Sequence, residues 1–71
     1  MKRIYVLTTA EDVFVGVYDD TEKLKKEMNG YDYDDIRVHV YDIDEDGTMI
    51  NRGTAYCNNS LILDGNVIVE M

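Results

Sequence analysis

The chain contains no proline and no tryptophan, and only one cysteine, one histidine and one serine in 71 residues. Without proline, and with five glycines, it has no stretch with the composition of a linker or low-complexity segment. The lone Cys57 cannot close an internal disulfide, and together with His39 it cannot supply the four ligands of a structural zinc site. A single unpaired thiol suits a reducing compartment. Long apolar runs are also missing. After Met1-Lys2-Arg3 only Ile4 to Leu7 follow without a break, too few for a signal peptide or a bilayer span. The expectation is a cytoplasmic protein that does not engage the membrane. Bases are scarce: seven Lys and Arg stand against fifteen Asp and Glu, for a net charge of −8. Phosphate contacts need cations, so direct binding to nucleic acid or anionic lipid is disfavoured and a basic protein partner is favoured.

What is present makes one small α+β domain spanning residues 1–71. A core below roughly 70–80 residues seldom supplies more than ~3–5 kcal/mol unaided, and with no disulfide or metal to help, self-association or partner binding is expected. "RIYVLTT" and "DVFVGVYD" are rich in β-branched and aromatic residues and read as a hairpin turning at Ala10-Glu11. Pairing Thr9 with Asp12 would put Ile4, Val6, Thr8, Val13, Val15 and Val17 on one side. Tyr5, Leu7, Phe14, Gly16 and Tyr18 would then lie on the other, with Tyr5 covering Gly16. "DDTEKLKKEMNG" is the only helix signal: Asp19 can cap with Glu22, Gly30 can stop the helix, and Leu24, Met28 and Tyr31 form its thin apolar stripe.

The remaining chain reads as four more strands. "DIRVHVYDID" alternates, and a two-residue turn at Asp46-Gly47 sets Ile36, Val38 and Val40 opposite Cys57, Ala55 and Gly53 on the helix side. The same register sets Tyr41 beside Arg52 as a cation–π pair and Ile43 opposite Ile50. "LILDGNVIVE" is a second Asp-Gly hairpin, Leu61–Leu63 with Asn66–Glu70. The order is ββαββββ, an antiparallel sheet with one helix on its aliphatic face.

Asp42, Asp44, Asp46, Gly47 and Met49 match five positions of an EF-hand loop, but the position of the bidentate glutamate is Gly53 and both flanks are strand sequence. The stretch reads as a hairpin; weak cation binding or a regulatory role centred on residues 42–46 is the alternative. No catalytic residue, metal site or cofactor site is assigned. His39 and Ser60 have no partner in sequence that would make a base or a nucleophile, and Cys57 reads as a small buried thiol.

Two surfaces remain as candidates for binding. Residues 27–46 hold eight acids against Arg37 alone. Within them, Tyr31, Asp32, Tyr33, Asp34 and Asp35, with Asp42, Asp44, Glu45 and Asp46, form an acidic surface suited to a basic groove. The second is an aromatic sheet side carrying Tyr5, Phe14, Tyr18, Tyr41 and Arg52. Either the C-terminal hairpin folds over it as a second layer or it is an interface, which would make the protein a homo-oligomeric module.

"VFVGVYDDTEKLKKEM", a strand ending in Gly-Val-Tyr, an acidic cap and a lysine-rich helix, resembles small acidic proteins of bacteriophages and mobile elements. The resemblance implies a non-catalytic inhibitor of the anti-defence kind, anti-CRISPR-like or a DNA mimic, acting in a bacterial host cell on a basic, nucleic-acid-handling protein.

Overall fold

Runs of β-branched and aromatic residues, broken by Asp, Asn and Gly, divide the chain into six strands with one helix between the second and third. The computed structural model describes residues 1–71. Strands β1 (Lys2–Thr9) and β2 (Phe14–Tyr18) are followed by helix α1 (Thr21–Met28) and a short 3-10 turn (Tyr33–Asp35). Then come β3 (Ile36–Ile43), β4 (Met49–Cys57), β5 (Ser60–Leu63) and β6 (Asn66–Glu70). All neighbours are antiparallel, in the order β2-β1-β3-β4-β5-β6. The chain therefore has the expected ββαββββ order. Because β2 and β3 flank β1, they run parallel to each other and need a crossover, which α1 supplies. No helix is long and apolar enough to cross a membrane.

The helix starts and stops one step away from the sequence expectation. Asp20, not Asp19, is the N-cap, and its carboxylate accepts the Glu22 N–H at 2.8 Å. Asn29, still right-handed, closes the helix, and the N–H groups of Gly30 and Tyr31 donate to Glu27 and Met28 carbonyls. Gly30, the glycine that could have stopped the helix in a left-handed conformation, does not take one. Leu24 and Met28 are fully buried against the sheet.

What they bury against corrects the expected division of faces. β1 pairs with β3 so that Tyr5 lies opposite Val40 and Leu7 opposite Val38. Tyr5 and Leu7 thus join Ile36, Val38, Val40 and Ala55 in the core beneath α1, while Ile4 and Val6 turn to the other side. The reason is physical. β1 is apolar on both sides, so burial alone does not choose its orientation. In the β1–β2 hairpin Tyr5 faces Tyr18 and Leu7 faces Gly16, with a bulge beyond, so Gly16 is covered by Tyr18 of its own strand rather than by Tyr5.

The C-terminal hairpin does not fold over the far side. It extends the sheet from β4 and turns Leu61, Leu63 and Val69 into the same core as the helix. Its Asp64-Gly65 turn has both residues at positive φ, 52° and 80°, the two-residue geometry that suits the twist of a hairpin.

Candidate functional site

The side of the sheet away from α1 has no element packed on it. Cross-strand pairs place Ile4, Val6 and Thr8 there from β1, Phe14 and Val17 from β2, and His39, Tyr41 and Ile43 from β3. β4 adds Met49, Thr54 and Tyr56, and the hairpin adds Ile62 and Val67. Phe14 is 63% exposed, Tyr56 59% and Val17 54%, values high for residues of this size and polarity. A solvated antiparallel face usually carries polar residues; here Thr8, Arg37, His39, Asn51 and Thr54 share the face with a larger apolar set.

His39 sits at the centre of this face. Its two ring nitrogens lie 3.0 Å from the Thr8 hydroxyl and 3.1 Å from the Thr54 hydroxyl. The three side chains satisfy one another across β1, β3 and β4, and no carboxylate orients the ring. Thr54 stands opposite His39 in the expected β3–β4 register, but Thr8 comes from β1, whose pairing with β3 is not a local signal.

The expected aromatic surface is split by the sheet. Phe14 and Tyr41 are on the open side, but Tyr5 is buried in the core and Tyr18 packs against it from the helix side. Arg52 does not meet Tyr41. β4 carries an extra residue between the Val40–Gly53 and Tyr41–Asn51 pairs, and that residue is Arg52. The bulge turns Arg52 to Asp42, where Nε donates to Oδ2 at 2.8 Å. Arg3 grips the same carboxylate from β1 through Nε and Nη2 at 2.8 and 3.1 Å. Asp42 is buried between them, and the hydrogen bond from Arg3, then that from Arg52, holds its carboxyl down at about 2. The same bond raises the Arg3 guanidinium.

This ion triad removes Asp42 from the acidic surface and from any cation loop. Asp44, Glu45 and Asp46 remain, in a turn longer than expected. The Asp44 N–H donates to the Thr48 carbonyl, Gly47 stands at φ 89°, and the Asp46 carboxylate accepts the Thr48 N–H at 2.9 Å. Ile43 therefore pairs with Met49, not Ile50, and the Arg52 bulge restores the expected Val40–Gly53 pair. The acids 42–46 are part of a β-hairpin, and no three of His, Cys, Asp or Glu converge there.

The expected acidic surface is in fact two. Asp32, Asp34 and Asp35 cluster around the 3-10 turn at the start of β3, and Asp44, Glu45 and Asp46 follow its end. With ~3.3 Å per residue, β3 separates them by roughly 25–30 Å. None of the six is in an ion pair; the four pairs are Lys2–Asp19, Arg3–Asp42, Lys25–Glu22 and Arg52–Asp42. Tyr31 is 38% exposed beside the first cluster, whereas Tyr33 packs on the core.

Near that cluster, beyond the Val38–Ala55 pair, β3 and β4 part around a cleft of about 410 Å³ bordered by Tyr33, Ile36, Arg37, Tyr56 and Cys57. Burial pushes the Cys57 thiol up. Comparison with family models, with curated proteins and with solved structures finds no match to this chain. The reading of function therefore rests on these surfaces.

Proposed function

We propose that the protein is a non-catalytic, phage-type inhibitor that binds a basic, nucleic-acid-handling host protein through its two acidic turns. The observation that carries the reading is that all six acids of these turns lack a cationic partner, although the chain pairs acids elsewhere. Unneutralised carboxylates concentrated at two points accelerate encounter with a basic surface and favour register on it. The two clusters, roughly 25–30 Å apart by strand rise, suit a groove with lysines or arginines at both ends rather than a single basic pocket. Exposed Tyr31 adds apolar contact beside the first cluster. Asp42 contributes to the fold and not to this surface.

The test is capture of a host protein from bacterial lysate at low and high salt, followed by competition with duplex DNA. Reversing two acids in either turn, Asp32→Lys with Asp34→Lys or Asp44→Lys with Glu45→Lys, should abolish capture while the thermal midpoint stays close to wild type. Equal reversals at Glu11, Asp64 and Glu70 should leave capture intact. Capture that ignores salt, DNA and both reversals would refute the reading.

A further inference from the structure

The open sheet face is built as a surface to be covered. Strands β1, β2, β5 and β6 carry apolar residues on both sides, the pattern of strands buried on both faces rather than one. β3 and β4 add Arg37, His39, Asn51 and Thr54 to this face. Of the fifteen acids, only Asp42 and Glu70 fall within strands. The first points to the helix side and the second ends the edge strand β6. In a chain of net charge −8 the centre of this face is therefore free of acid. At its centre His39 has both ring nitrogens bonded to threonines on the same face, so covering the face would leave neither nitrogen without a partner.

We infer that this face packs against the same face of a second copy of the chain. Size and charge favour that occupant. The two longer axes of the molecule are 36 and 25 Å. They bound a face of up to about 900 Å², close to the ~800 Å² per partner of a standard stable interface. Arg37 bonds only the carbonyl of Ile36 and has no acid partner, while Asp44 and Glu45 at the other end of β3 have no cation. A two-fold axis lying between the sheets and crossing β3 brings each Arg37 over the Asp44–Glu45 end of the other copy, an isologous match. Sheets so packed lie ~10 Å apart at about −30°. Exposed Val17, Tyr56 and Phe14 then become the buried anchors. Of the acidic turns the inference uses only Asp44 and Glu45, as rim partners of Arg37; Asp32, Asp34 and Asp35 take no part in it.

Sedimentation equilibrium of the purified chain, from about 10 μM to about 1 mM at low and high salt, tests it. The expected result is a dimer that tightens with salt, because two copies of net charge −8 repel each other and salt screens that repulsion. Val17→Asp and Tyr56→Asp should each weaken it at least about 30-fold, the scale of a hot-spot residue. Arg37→Glu should weaken it, and Arg37→Glu with Glu45→Arg should restore it. Circular dichroism confirms the fold of each variant; if an aspartate variant unfolds, Val17→Thr, which keeps strand propensity, replaces it and should still weaken the dimer. A wild-type monomer at every concentration and salt overturns the inference, as does dimerisation unchanged in the face variants. Association that weakens with salt also overturns it, and would indicate that ion pairs between Arg37 and the rim acids, rather than the apolar face, hold the copies together.

Discussion

Arg52 reaches Asp42, at 2.8 Å, because β4 carries one residue more than β3 between the Val40 and Tyr41 pairs. The bulge is held by the Asn51 side chain, whose oxygen accepts the Gly53 N–H at 2.8 Å, with Gly53 at φ 109°. With Arg3 bonded from the other side, one carboxylate ties β1, β3 and β4 together.

That triad makes stability depend on acid in a defined window. The Asp42 carboxyl lies at about 2 in the folded protein against an ordinary value of 3.8, held there by Arg3 first and Arg52 second. The lowered value means its contribution is complete above about pH 4 and is lost as pH falls towards about 2. Asp42→Asn should cost about 2 kcal/mol at neutral pH and flatten the acid limb of urea midpoints measured between about pH 4 and 2. A smaller slope should remain from Asp19, held low by Lys2, and Asp46, held low by the Thr48 N–H.

Gly53 is required for its backbone and not for space. A Cβ there would meet nothing nearer than Leu63 Cδ1 at 3.7 Å, an ordinary contact, but φ 109° is strained for any other residue. Gly53→Ala should cost about 1–2 kcal/mol in denaturant unfolding, and adding Leu63→Ala should add its own cost with no rescue.

Gly16 presents the opposite case. Its φ is not positive, but a Cβ would stand 2.7 Å from Tyr18 Oη and 3.0 Å from Cζ. Gly16→Ala should cost about 1 kcal/mol by turning the Tyr18 ring out of its place against the core, and less in a Tyr18→Val background. A thermal-midpoint double-mutant cycle reads the difference.

Excess calcium should leave the thermal midpoint unchanged. Asp42 is committed to two arginines, and Asp46 caps its own turn through Thr48. A saturable rise lost in Asp44→Ala would contradict this.

The amino-acid order by itself determined the elements: six strands, one helix and their sequence. Strand alternation, the acidic cap and the Asp-Gly pairs are local signals, read over a few residues. The Val40–Gly53 and Val38–Ala55 pairs were legible for the same reason, since a hairpin register follows from its turn, although two offsets of one residue cancel to produce them. Even there the bulge was hidden, because nothing local marks Arg52 as the extra residue.

Tertiary structure alone decided which sides met. β1 and β3 are separated in sequence by a hairpin and a helix, and β1 is apolar on both sides, so only long-range pairing could send Tyr5 inward and Val6 outward. That choice divided the expected aromatic surface, and it brought Thr8 to His39. It also joined Arg3 to Asp42 across 39 positions of sequence. The acids 32–46 looked like one patch because they are near in sequence. An extended strand puts ~3.3 Å between residues, so β3 carried its two ends apart.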